Sequence, residues 1–339
     1  MELFSISNLK RAASGGRVEA VLHVQVEALT QKETKDQKPY FEIILADAES
    51  KMTLRAWSDS PAFQSCTAMK RGEFLEISGD FVNNGSFGLD AKGWECRPLN
   101  MEERDALLAG PEELREKQRI DFEFLTQTVG ELGDPRLRSL CELFLKDFGS
   151  RFRRTAAARN YHHARRGGLV EHTAQMMRTG CLIAELYPQL NRDLLLTGIL
   201  LHDCGKLWEN SMPESGFTMP YNETGELLGH INIGIELINS LWHKLEISQW
   251  AGLDPDSEDV RMHLLHLIAS HHGELAFGSP VVPKTPEAYA LHHIDNLDAK
   301  LEMIFAGYQS ASPLAQRVFE RVRPLPGNLV QPLGKFLGN

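Results

Sequence analysis

Two side chains that bind metal ions stand together at the end of an apolar run. His202-Asp203 follow Leu194–Leu201 and precede Gly205 and Lys206. A run of this kind reads as a buried helix, where an imidazole and a carboxylate are costly unless something pairs with them. A divalent ion is the simplest partner. His172, His230, Asp295 and the pair His271-His272 stand in similar apolar settings. No Ser-His-Asp or Cys-His arrangement competes with this set, and no glycine-rich phosphate loop is present.

These positions lie about 25 to 40 residues apart, so only converging helix ends can bring them together. The periodicity supplies such helices. His172 falls about one turn into a helix begun by Gly167-Gly168, in GGLVEHTAQMM. His202-Asp203 close the next helix, and Gly205 fits a break after it. His230 lies near the start of an amphipathic helix in GELLGHINIGIELI, His271-His272 end Leu264–Ser270, and Asp295 sits in ALHHIDNLDAKLEMI. Upstream, Phe122–Leu132 and Leu137–Phe148 have helical spacing, separated by Gly133-Asp134-Pro135 with proline at a helix start. Helix dominates from there to about Tyr308.

The first hundred residues have the period of strands instead. Apolar residues alternate through Arg17–Glu27, and further short strands fit Tyr40–Leu45, Thr53–Trp57, Phe74–Phe81 and Phe87–Trp94. TQKETKDQKP reads as a polar loop after the first, and Asn83-Asn84-Gly85 as the turn between the last two. Five short strands suggest a small barrel of the oligonucleotide-binding (OB) type. Tyr40, Trp57, Phe81, Phe87 and Trp94 are either barrel core or surfaces for stacking on bases. The predicted fold class is therefore multidomain α+β, an OB-type barrel over 1–98 followed by an all-α bundle over 119–310. Residues 99–118, charged and broken by Gly-Pro, read as a linker or short exposed helix, and 311–339 as a trailing segment.

At 339 residues, 42% hydrophobic and with a net charge of −10, the chain is long enough for two domains and carries no overall attraction for nucleic acid. The N-terminus lacks the apolar stretch of a signal peptide, and no run of about 18 apolar residues suggests a membrane span. Five scattered cysteines, odd in number and without a CxxC pair, fit reduced thiols in a cytoplasm. One segment departs from the acidic balance. Arg151, Arg153, Arg154, Arg159, Arg165 and Arg166 fall within sixteen residues that hold no acid, just before His172. This is either a solvated face or a clamp for phosphates.

HHA-x-x-GGL-x-EHT, LHD-x-GK, YNETGELLGHI, SHHGE-x-x-x-GSPV and LHHIDNLDAK occur in this order. Together they resemble the YhaM-type 3′–5′ exoribonucleases, which join an OB domain to an HD domain. The resemblance is strong over 120–305 and loose over 15–98. It implies a metal-dependent phosphohydrolase acting on the 3′ end of single-stranded RNA or DNA to release 5′-mononucleotides, with manganese as the metal. His172, His202, Asp203 and Asp295 would give one ion four N/O ligands. His230 and His271 or His272 are surplus, which suggests a second ion about 3.5–4 Å away, with Asp203 as bridge. Imidazole and carboxylate together suit Mn²⁺, Fe²⁺, Co²⁺, Zn²⁺ or Mg²⁺. Lys206 could reach a phosphate oxygen, and His162, His163, Lys300 and the arginine run could hold substrate. Glu171 reads as a supporting or surface group, and Glu274 as a possible partner for one imidazole. Two other readings stay open: a phosphohydrolase of free or cyclic nucleotides, and a single-strand-binding factor with a structural metal.

Overall fold

The computed structural model describes residues 1–13, 15–84, 88–311 and 313–334. Phe87 and Gly85 of the expected hairpin lie outside the described residues. The chain forms two compact units, one comprising Met1–Gly110, Ser215–Thr218 and Lys300–Asn339, the other Pro111–Glu214 and Met219–Ala299.

In the first unit, strand β1 (Glu2–Phe4) and helix α1 (Ile6–Ala13) precede β2 (Val18–Glu33), β3 (Pro39–Ala46) and β4 (Lys51–Trp57). Helix α2 (Pro61–Ala68), β5 (Phe74–Asn83), β6 (Leu89–Pro98) and helix α3 (Met101–Ala109) follow. The sheet order is β4-β3-β2-β5-β6, with β1 parallel to β2 and the other pairs antiparallel. Alternation explains the inner face: Ala20, Leu22, Val24, Val26, Ile43, Leu45, Leu54 and Ile77 are buried together. The indole N–H of Trp94 on β6 donates to the Arg55 carbonyl on β4 at 3.4 Å, tying the two outer strands of that order. The polar loop is shorter than the sequence suggests. Thr30 to Glu33 pair with Glu42 to Pro39, because main-chain ladder bonds do not depend on apolar side chains. Phe81 and Trp94 belong to the core, whereas Tyr40 stacks on the exposed Trp57 with ring centroids 4.9 Å apart. The trailing segment contributes a small sheet of β7 (Pro313–Ala315), β8 (Val318–Phe319) and β9 (Leu329–Val330).

Helices build the second unit: α4 (Glu112–Gly130), α5 (Pro135–Phe152), α6 (Gly168–Leu186), α7 (Arg192–Leu201), α8 (Lys206–Glu209), α9 (Glu223–Trp242) and α10 (Ser257–Ser270). Helix α11 (Pro286–Ser310) begins in this unit. Residues 99–118 are therefore largely α3 and the start of α4. The starts follow local chemistry. Asp134, Asn191, Asn222 and Asp256 cap α5, α7, α9 and α10 through side-chain oxygens, and Pro135 opens α5. Leu194 to Leu201 are all buried, so α7 is the inner helix, packed against α5, α6 and α10. Burying leucines of this kind stabilises by about 1.5–3 kcal/mol each.

Candidate metal centre

The chemistry-bearing side chains sit where helix ends meet around α7. His172 lies in the second turn of α6, His202 caps the C-terminus of α7, and His271 caps that of α10. After His202 the chain turns through Asp203 to Gly205, which is not left-handed (φ −66°). Glycine is needed there for close approach: a Cβ would lie 1.9 Å from the His230 carbonyl oxygen. Helix α9 is kinked at Gly229 (φ 68°, ψ 158°), so His230 opens its second segment.

One feature recurs at five of the imidazoles. Nδ1 of His172 lies 2.7 Å from Asp298 Oδ2, and Nδ1 of His230 2.9 Å from Glu209 Oε2. Nδ1 of His202, His271 and His272 lies 2.9, 2.7 and 2.8 Å from the carbonyls of Ile199, Ile268 and Phe277. Each Nδ1 faces an acceptor to which it can donate, and this fixes the ring with Nε2 turned the other way. The Nε2 atoms turn towards Asp203. Its Oδ2 is 3.2 Å from His202 Nε2 and 3.9 Å from His172 Nε2, and its Oδ1 is 3.5 and 3.7 Å from those of His230 and His271. Asp295 Oδ1 is 3.3 Å from His172 Nε2, and the Nε2 atoms of His230 and His272 are 3.3 Å apart.

Nε2 of His172, His202 and His271 and Oδ1 of Asp203 are buried without a hydrogen bond. Orphaned buried polar atoms are expensive, and here they converge. His172, His202 and Asp203 form one grouping of metal-binding geometry, and His230, His271 and His272 another. The residues fit divalent ions. Lys206 Nζ lies 2.6 Å from Asp203 Oδ2. Burial opposes ionisation of Asp203, but Lys206 and His202 outweigh it and hold the carboxyl well below its usual range. Burial likewise opposes the charged form of His172, yet Asp295 and Asp298 raise it to about 9. Burial pushes His271 and His272 down.

The profile described as HD domain matches residues 169–300, the span of His172, His202-Asp203 and Asp295. A protein named 3′-5′ exoribonuclease YhaM, from Bacillus velezensis, is 32% identical over 299 residues, covering 88% of this chain and 87% of its own length. The chain belongs to the YhaM family. A solved structure of RecG bound to a three-way DNA junction aligns at 13% identity over 30% of this chain and 13% of that one. Its TM-score of 0.24 is too low to bear on the fold.

HD domains are metal-dependent, and the clusters of this YhaM-family chain give that dependence a place. Other expected residues are placed differently. Glu171 is buried, paired with Lys117 and Arg165 and bonded to Gln118. Burial opposes its charge, but these partners lower it to about 2. The arginines are largely engaged within the protein. Arg154 donates to the Met212 carbonyl, Arg159 to those of Glu209 and Pro220, Arg165 to Glu171, and Arg166 to the Pro213 carbonyl. Arg151 and Arg153 lie over the rings of Trp208 and Phe122. His163 is buried with Nε2 3.2 Å from Asp298 Oδ2, while His162 lies with its ring 5.3 Å from that of His172. Burial, followed by the charge of Lys206, lowers His162 to about 3. Lys300 falls in the other compact unit. The acceptor opposite His272 is the Phe277 carbonyl, not Glu274. Sequence reasoning missed Asp298 and Glu209. Asp298 was within reach, since it follows Asp295 by three positions and so shares its helix face. A further grouping, His23, Glu76 and Glu103 in the first unit, is only half-buried, and Arg97 already bridges its two carboxylates.

Proposed function

We propose that this chain is a metal-dependent 3′–5′ exoribonuclease that removes nucleotides one at a time from single-stranded RNA as 5′-mononucleotides. The supporting observation is a set of five imidazoles, each held through Nδ1, four of which turn Nε2 towards one buried carboxylate while the fifth, His272, turns it to His230. His172, His202, Asp203 and Asp295 would hold one divalent ion. His230, His271 and His272 would hold a second, next to Asp203. When bound, such ions neutralise phosphodiester charge and lower the pKa of water towards neutrality. Manganese is favoured, on the family resemblance.

The chain's own residues do the rest. Asp298 and Glu209 fix the tautomer and angle of His172 and His230. Lys206, paired with Asp203, places its ammonium at the centre, where it can serve the substrate phosphate. The first unit, read as an OB-type barrel, holds the strand, with Trp57 stacked on Tyr40 as its exposed aromatic platform. Five free cysteines fit work in a reducing cytoplasm.

The test is a single-stranded RNA labelled at its 5′ end, incubated with Mn²⁺ beside free and 2′,3′-cyclic nucleotides. A ladder descending one nucleotide at a time from the 3′ end is expected. Turnover confined to the small nucleotides would replace the proposal with a nucleotide phosphohydrolase.

A further inference from the structure

Two exposed aromatic residues connect to the candidate ligands through short chains of contacts. Phe277 is 59% exposed and Tyr221 73% exposed. Phe277 is tied to a candidate ligand through its own carbonyl, and Tyr221 through Arg159 and Glu209. The Phe277 carbonyl accepts from His272 Nδ1 at 2.8 Å. Arg159 lies over Tyr221, its Cζ 4.3 Å from the ring centroid, and donates at 2.7 Å to the carbonyl of Glu209, whose carboxylate holds His230. The Nε2 atoms of His230 and His272 are 3.3 Å apart, so both tethers lead to the same end of the centre.

The turn carrying Phe277 is well anchored. Phe277 N–H donates to the Glu274 carbonyl at 3.0 Å, and the Ser279 hydroxyl bonds the carbonyls of Ala269 and Val281 at 3.1 and 2.8 Å. An anchored segment that presents a phenyl ring to water leaves that ring's apolar area uncovered. Nucleobases cover such rings well, and stacking tolerates any sequence because every base has a π-face.

We propose that Phe277, with Tyr221, seats the bases at the 3′ end of the RNA as it enters the metal centre. This rests on the exoribonuclease reading. It assigns substrate holding to stacking, where the arginine run had suggested phosphate contacts.

A cycle of protein and substrate changes tests it. Phe277→Ala, Tyr221→Ala and Phe277→Trp are compared with the unaltered protein, all loaded with Mn²⁺. The substrates are a 5′-labelled RNA and the same RNA with its last two nucleotides abasic. The unaltered protein is expected to lose at least about tenfold in kcat/KM on the abasic RNA. Phe277→Ala is expected to lose a similar factor on ordinary RNA, mainly through KM, and little more on the abasic one. Phe277→Trp keeps a ring and restores the ordinary rate. Multiplying losses, a loss carried by kcat, or no loss in Phe277→Ala would each overturn the proposal. Phe277→Ala with a fall in its thermal midpoint that Phe277→Trp does not share, but without the abasic insensitivity, also overturns it. If the unaltered protein leaves the ordinary RNA intact, the exoribonuclease reading itself has failed.

Discussion

Asp203 carries the densest set of interactions in the centre. Its two oxygens face four imidazoles and the Lys206 ammonium, and one of them is buried without a hydrogen bond. A buried carboxylate oxygen left without a hydrogen bond is well placed to face a divalent ion. The side chains behind the ligands are expected to matter nearly as much. Asp298→Asn keeps the size of the side chain but weakens its hold on His172 Nδ1, so metal affinity should fall about 10–100-fold. Calorimetric titration with Mn²⁺ measures this, and an unchanged affinity would remove Asp298 from the centre. The ligand candidates were legible because His and Asp are conspicuous in apolar helices. Asp298 and Glu209 were not, since an orienting acid looks like any surface acid until its partner is placed beside it.

Helix ends deliver these residues, so small faults in helix packing should disturb the chemistry. Gly205→Ala places a methyl group 1.9 Å from the His230 carbonyl oxygen, so α9 must move away from the Asp203 turn. Overpacking of this kind costs about 1–3 kcal/mol, read as a lower thermal midpoint, and activity should fall with it. Glu171 gives α6 a pH dependence. Its folded pKa of about 2 lies below its ordinary 4.5, so its stabilisation is present above pH 4.5 and is lost as pH falls towards 2. The shift corresponds to about 3 kcal/mol. Glu171→Gln should lose most of that at pH 7 in urea denaturation, and the difference from the unaltered protein should close between pH 4.5 and 2. A constant gap would show that packing rather than charge is involved. The sequence signalled the helices from Phe122 onwards and the starts at Gly167 and Pro135. It did not signal the extension of β2 to Glu33, which depends on pairing with β3, or the role of Gly205, which depends on a neighbour 25 residues away.

The molecule as a whole carries a net charge of −10, and of the six clustered arginines Arg154, Arg159, Arg165 and Arg166 are hydrogen-bonded within the protein while Arg151 and Arg153 cover aromatic rings. RNA binding should therefore depend weakly on salt. For single strands the slope of log K against log salt is about −0.7 per phosphate neutralised, so two such contacts give about −1.4, against about −4 for six. Fluorescence anisotropy with a labelled oligoribonucleotide over a salt series distinguishes these, and the steeper slope would restore the arginine clamp. The two-part composition was legible, since the period changes from strand to helix near residue 120, whereas the grouping of residues 300–339 with the first unit depends on tertiary contacts the sequence does not display. Cleavage of RNA from its 3′ end should depend on divalent ions held by the His and Asp cluster. The most direct measurement follows shortening of a 5′-labelled RNA by chelator-stripped protein, by the same protein reloaded with Mn²⁺, and by Asp203→Ala, with thermal midpoints recorded in parallel. Stripped protein should be folded and inactive, reloading should restore a single-nucleotide ladder, and Asp203→Ala should stay folded while losing on the order of 10³-fold in rate. Shortening that survives chelation, or an active Asp203→Ala protein, would contradict it.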